Sequence, residues 1–429
     1  PGHGEALHRL YAIYVETDQT VQAEALADRL LTLATTNTER VDVLADVSRF
    51  REKRSDFPAA LATLHEAAAL APRDGRVMRL VAEFHRRRGD GEALAAHLHA
   101  AVEGQRSYLE DHLEQADAWL GLAEALEETR ASDAAAMVRS LALAVAAVPS
   151  IHGARPSEGA GTAGLSELLD DLVFPDTMPA CTRLLFRYGS EALNRVVPFD
   201  AKAIAAQRLS RNHPFRALAE DLARRAGMGD IEILGSSALP SAFVTVADSP
   251  AQLVVGEELL EKLDPDEQAF LTARALKIAR SQASITCRIR PDEMGLLIHA
   301  LIRTELPQHA PPGHAPAALE NAARRIAKQL SRKQVAELAP VLRELAQAPG
   351  FDASRVYTLA SGAGNRAGLL VTGSPRAALS GLLKLAGRMP NGPMRVEHVV
   401  GVEEARDLLS FALRDAHFEA RQRAGADQR

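Results

Sequence analysis

A chain of 429 residues with 47% hydrophobic and 25% charged residues has the composition of ordinary globular domains and the length for two or three of them. Its net charge of −6 is uneven: residues 1–150 hold 16 Lys and Arg against 24 Asp and Glu, a net of −8, and the rest is +2. Neither part has the basic surplus that a nucleic-acid backbone requires, so no nucleic-acid partner is expected. No run of 18 apolar residues is present to suggest membrane insertion.

Cys181 and Cys287 belong to no C-x-x-C pattern, which excludes a zinc ribbon and makes a disulfide framework improbable. Two reduced, buried thiols in a cytoplasmic protein are the expectation. Aromatic residues are only 4%, while Ala and Leu dominate, so the fold is expected to be mostly α with closely packed helices.

Residues 4–149 read as repeated helix pairs. The clearest is 41–72, VDVLADVSRFREKRSDFPAALATLHEAAALAP, with an apolar helix, a polar turn, small Ala60, Leu64 and Ala67 at helical spacing, and a closing Pro72. The next, 74–107, has Gly89-Asp90 at its turn and Ala93 at the small position. Another has Trp119 and Leu122 in its first helix and Ala135 or Ala136 in its second. An earlier one has Leu7, Leu10, Tyr14 and Ala23. The pattern resembles tetratricopeptide repeats, whose period is about 34 residues, and implies an N-terminal α-solenoid over 1–150. The small positions 23, 60, 93 and 136 are 37, 33 and 43 residues apart, which predicts a lengthened loop at 104–115. A solenoid presents a groove to partner proteins, and in this register Arg49, Lys53, Arg86 and Glu124 face it. The run Arg86–Arg88 reads as the solvated end of a helix.

Residues 151–165, IHGARPSEGAGTAGL, read as a linker. The second domain is expected over 166–429. It has a helix at Ala217–Ala226 and a small sheet from Ile231–Leu234, Ala242–Val246 and Gln252–Val255, short β-branched runs separated by turn residues. Helical patterns then cover 256–263, 265–282, 291–304, 315–329, 332–347, 352–371, 374–387 and 402–418. A Pro-rich loop is expected at 306–316.

From about 215 to 388 the order of elements resembles the HtpX-like and CAAX-prenyl-protease-like zinc metallopeptidases. The resemblance rests on SAFVTV (241–246), QLVVGEELLEKLDPDEQAFLTARALKIA (252–279) and SGAGNRAGLLVTGSPRAALSGLLKL (361–385). Such an enzyme needs H-E-x-x-H on a helix, because residues four apart share a face and grip one zinc while the Glu activates water. Carried onto this chain, the two His positions fall on Arg274 and Ile278, the Glu position on Ala275, and Lys277 precedes the second His position. In the later E-x-x-A-D-R-like motif Ser361 takes the place of the ligand Glu, Gly364 of the Ala and Asn365 of the Asp, while Arg366 is retained. All three ligands and the base are replaced, which implies an α+β pseudopeptidase with no catalytic residue, metal or cofactor. Its vestigial cleft would involve Arg274, Ala275, Lys277, Ile278, Ser361, Asn365 and Arg366.

Two uses of that cleft are open. Arg274, Lys277, Arg280 and Arg366 would make a basic pocket for an anion or a partner's carboxylate, or Arg274 would pair internally with Glu267 or another acid. The Gly-rich Ser361–Gly368 lacks the phosphate-cradle pattern and falls in a helix. His299, His309 and His314 lie close in sequence and would carry a relocated metal in a hydrolase, but their spacing matches no standard site and solvated loop histidines are the expectation. The reading is a non-catalytic scaffold that binds other proteins through the repeats and the vestigial cleft. The alternatives are an anion-binding regulator and a hydrolase with a relocated metal.

Overall fold

The computed structural model describes residues 2–145, 180–349, 351–390 and 394–423; the linker expected at 151–165 lies outside them. The chain is mostly α with one small mixed sheet. It divides into two compact units, Pro1–Ala142 and Leu143–Arg429.

The first unit holds eight successive helices: α1 Gly2–Glu16, α2 Thr20–Leu33, α3 Asn37–Lys53, α4 Phe57–Leu70, α5 Gly75–Arg88, α6 Gly91–Asp111, α7 Ala116–Glu128 and α8 Ser132–Val145. Short polar signals set their limits. Thr36 and Glu39 form a reciprocal capping box at the start of α3. Asp56, Asp74 and Asp90 each accept a hydrogen bond from a backbone N–H in the first turn of α4, α5 and α6. Gly89 closes α5 in the left-handed conformation, φ 68°.

Burial follows the small positions: Ala23, Ala60 and Ala135 are fully buried, whereas Ala93 is half-buried, and Ala135 rather than Ala136 takes the inner position. The cores are local. One gathers Leu7, Tyr11, Ala23, Leu26, Val43 and Phe50; the next two are Val41, Leu44, Ala67 and Val77, then Ala60, Leu64, Val81 and Phe84. The extra length expected as a loop at 104–115 is instead helix, since α6 runs on to Asp111. Gln105 and Leu109 are buried on its inner face, so these added turns have a packing surface.

The second unit begins, among the described residues, with α9 Ala180–Val196, β1 Ala206–Arg208 and α10 Pro214–Arg225. The strands β2 Glu232–Ser236, β3 Phe243–Asp248 and β4 Ala251–Gly256 follow. The sheet order is β1-β2-β4-β3, with β2 and β4 parallel and the other pairs antiparallel. Among the described strands β3 is therefore an edge, and it packs against the 3-10 turn Ser284–Cys287. The helices α11 Glu257–Lys262, α12 Pro265–Arg280, α13 Pro291–Glu305, α14 Pro316–Ala327 and α15 Arg332–Gln347 come next. They are followed by α16 Val356–Thr372, α17 Pro375–Leu385, α18 Val396–Val400, α19 Glu403–Ala412 and α20 Asp415–Arg423. The helix expected at 352–371 begins as a 3-10 turn, and that expected at 402–418 is two helices.

Helices α12 and α16 form the centre. Every residue from Phe270 to Ala279 and from Ala360 to Val371 is buried, as for helices enclosed on all sides. Their close crossing requires glycine. A Cβ on Gly364 would stand 3.0 Å from Arg274 Cγ and 3.1 Å from its carbonyl oxygen; one on Gly368 would meet the Phe270 ring at 2.7 Å. The glycine-rich stretch is thus a helix-packing face. Asp264 and Glu267 form the capping box that starts α12. The Glu267 carboxylate also accepts from Lys384 Nζ at 2.6 Å and Ser380 Oγ at 2.5 Å, tying α12 to α17.

Candidate functional site

The two motif segments meet. Arg274 on α12 donates from Nε to Asn365 Oδ1 on α16 at 2.8 Å and from Nη2 to Ser361 Oγ at 3.3 Å. It also approaches Glu404 Oε1, at the start of α19, at 3.5 Å. Positions 87 and 91 residues away in sequence therefore close around one side chain. Burial opposes the charge of Arg274, but Glu404, Cys287 and Tyr357 outweigh it and hold the guanidinium above its ordinary value.

The partner acid is thus Glu404 and not Glu267, whose carboxylate belongs to Lys384 and Ser380. Arg366 pairs with Asp407 at 3.2 Å and lies over the Phe411 ring, 4.7 Å from its centroid. Arg280 donates to the Ala226 carbonyl at 2.6 Å.

Above Arg274 opens a cleft of about 390 Å³, within the range of ligand sites. Its walls are Ser241–Val244 at the start of β3, Cys287 and Tyr357, Leu382, Leu385 and Ala386 from α17 and its end, and Val402, Glu403 and Glu404. Of the seven vestigial-cleft residues only Arg274 lines it. Ala275, Lys277, Ile278, Ser361, Asn365 and Arg366 are packed beneath, and Ile278 belongs to the apolar core with Phe186, Met294 and Ile298. The basic pocket anticipated from four cations is absent from this cleft, which has one cation, already paired, and two carboxylates.

The start of β3 borders the cleft. In β3 the pairs run Phe243↔Val255, Val244↔Val254 and Thr245↔Leu253. Gly256 donates to the Ala242 carbonyl at 2.7 Å, so Ala242 and Val244 turn their backbone groups to β4. By the alternation of antiparallel ladders, those of Phe243 and Thr245 face away from it. The Thr245 N–H is directed at the Cys287 thiol. Phe243 borders the cleft but is only 1% exposed, and Thr245 is fully buried, so neither offers its outward backbone groups to solvent.

Both cysteines are free; Cys181 is buried as expected, while Cys287 is half-buried at the cleft wall. Burial raises the Cys287 thiol, against the opposing pull of Arg274. Burial also raises the Tyr357 hydroxyl, helped by Glu404.

His299, His309 and His314 are half-buried rather than solvated. Their rings converge, with His299 5.1 Å from His309 and 5.5 Å from His314 between centroids. His299 Nδ1 and His309 Nε2 share a hydrogen bond at 2.9 Å. Burial, then the neighbouring imidazoles, pull His299 down to about 4. Among the described residues no group of three or more His, Cys, Asp or Glu is placed to hold a metal ion.

In the first unit, helices α3, α5 and α7 are cross-linked by ion pairs: Arg76–Asp42 at 3.5 Å, Arg87–Glu52 at 2.8 Å, Arg79–Glu124 at 2.8 Å, and Arg86–Glu128. Arg88 lies 3.7 Å from the Phe57 ring centroid. The run Arg86–Arg88 therefore ties helices together and is more than a solvated end. Of the four groove residues, Arg86 and Glu124 belong to these pairs. Arg49 is exposed beside Asp46 at 3.2 Å, and Lys53 is exposed.

No family model, curated protein or solved structure matches this chain. No described helix is long and apolar enough to cross a membrane.

Sequence reasoning missed Glu403, Glu404, Tyr357 and Leu382 as neighbours of Arg274. An acidic pair at 403–404 is also what any helix start favours, so it carried no separate signal.

Proposed function

We propose that this chain is a non-catalytic, cytoplasmic interaction scaffold: a tetratricopeptide-like repeat unit followed by a pseudopeptidase unit whose cleft holds a partner's side chains. The observation that carries the second part is the junction of Arg274, Ser361, Asn365 and Glu404. It lies where the peptidase resemblance requires zinc ligands, and a permanently protonated guanidinium cannot ligate a metal. Ala275, at the position of the general base, has no group that could activate water.

What survives is a cleft of ligand size with an apolar wall of Leu382, Leu385 and Val402, a shape that takes a partner's side chains. For the repeat unit, the exposed Arg49 and Lys53 beside the ion-paired Arg86 and Glu124 mark the proposed partner face. Anion regulation is disfavoured because Glu404 already neutralises the cleft's cation and Glu403 adds a second carboxylate.

Selection of peptides from a random displayed library on the full chain tests the cleft. The wild type is expected to enrich binding sequences. Val402→Trp, which fills the cleft, should lose them while keeping its thermal midpoint within a few degrees. Equal enrichment on both proteins would refute the cleft as the binding site.

A further inference from the structure

We infer that the outer face of α1, formed by Ala6, Leu10 and Ile13, docks a second copy of this chain, α1 against α1 about a two-fold axis. The later repeats disclose what this face does. In α3 the triplet Val43, Val47 and Phe50 is buried and packs onto the helix pair before it, against Leu7 and Tyr11 of α1 and Leu26 and Leu30 of α2. One repeat later the triplet recurs in α5 as Val77, Val81 and Phe84. It is again buried, against Val41 and Leu44 of α3 and Ala60, Leu64 and Ala67 of α4. Spacings of four and three residues set each triplet on one helix face.

Shifting α3 back by the 37 residues that separate Ala60 from Ala23 sets the triplet on Ala6, Leu10 and Ile13. The same shift sets Leu44 on Leu7 and Ser48 on Tyr11, and all four are buried. The triplet departs from this agreement: Leu10 is 37% and Ile13 52% exposed, where Val47 and Phe50 are 6% and 3%. Helix α1 thus carries the stacking face of a repeat with no described helix pair seated on it. The face also answers itself. In a two-fold interface residue i meets j and j meets i. Arg9 and Glu16 are exposed and lie two turns apart on one flank of the stripe. In an antiparallel pair of helices, like flanks face each other. Arg9 of each copy then stands opposite Glu16 of the other, while Leu10 meets Ile13.

The experiment is sedimentation equilibrium of the full chain from roughly 1 to 100 μM, where a monomer–dimer equilibrium is expected. Ile13→Glu should weaken association at least about tenfold, because it buries an unpaired carboxylate in the interface. Its thermal midpoint should match that of the wild type at concentrations where both are monomeric, since the position is exposed. Arg9→Glu and Glu16→Arg should each weaken self-association, and an equimolar mixture of the two should restore it, because every charge then faces its opposite. Dimerisation is independent of the cleft, so Val402→Trp should associate like the wild type. A chain that stays monomeric across the range, or a dimer that Ile13→Glu leaves unchanged, overturns the proposal. A dimer lost in Ile13→Glu but not restored in the mixture overturns the antiparallel pairing and leaves the face standing.

Discussion

The two units solve the packing of Ala- and Leu-rich helices differently. In the first, each core draws on neighbouring helices, and the charged links between α3, α5 and α7 lie at the surface, with the Arg side chains between 37% and 49% exposed. In the second, polar side chains are deep inside: Arg274, Asn365, Ser361 and Glu267 are all buried, and they join segments about 90 to 130 residues apart. Exposed pairs are screened by solvent and each contributes little. Buried polar groups are costly to leave unpartnered. Substitutions in the surface links of the first unit should therefore act locally and weakly, and those in the buried polar junction of the second should destabilise that whole unit.

The largest effect is expected at Arg274. Arg274→Ala strands Asn365 and leaves Glu404 without its cation, and should lower the unfolding free energy by about 3 kcal/mol; urea titration measures this. Gly368→Ala forces a Cβ against the Phe270 ring and its carbonyl oxygen, 2.9 Å away, at a cost of about 2 kcal/mol. A value near zero for either would remove the contrast between the units.

Acid should act on the second unit next. Burial holds His417 down to about 3, and His299 lies at about 4, so both are neutral in the fold at pH 7. An unfolded histidine takes up its proton near pH 6.5. The stability due to these groups is present above that pH and is lost as pH falls toward 4 for His299 and 3 for His417. An unfolding free energy that decreases from pH 6.5 to 4, with a shallower slope in His299→Gln, is the expected result. The smallest effect is expected from Glu52→Gln, which breaks the link to Arg87 and should cost less than about 1 kcal/mol.

The units also differed in how much their sequences disclosed. The starts of α3 and α12 are legible because TNTE and DPDE encode reciprocal caps, and the three strands after α10 are legible as β-branched runs between turns. That 274 lies near 361 and 365 is an expectation drawn from the resemblance of two separate motifs, and the hydrogen bonds of Arg274 join them. The acidic side of the cleft is not legible in this way, because Glu404 is 130 residues from Arg274 and its chemistry at a helix start is ordinary. The inward turn of Ile278 and Lys277 was hidden for a related reason: α12 is enclosed on every side, so its polar residues do not mark a solvent face. The three-residue β1 is too short to show a period.

The most direct test of a peptidase-like centre closed by arginine is the metal dependence of the full chain. The protein is loaded with excess zinc, dialysed, analysed for metal and unfolded by heat with and without EDTA. Substoichiometric zinc and one unfolding midpoint under both conditions are predicted; one tightly held zinc per chain, with a midpoint that falls on chelation, would contradict it.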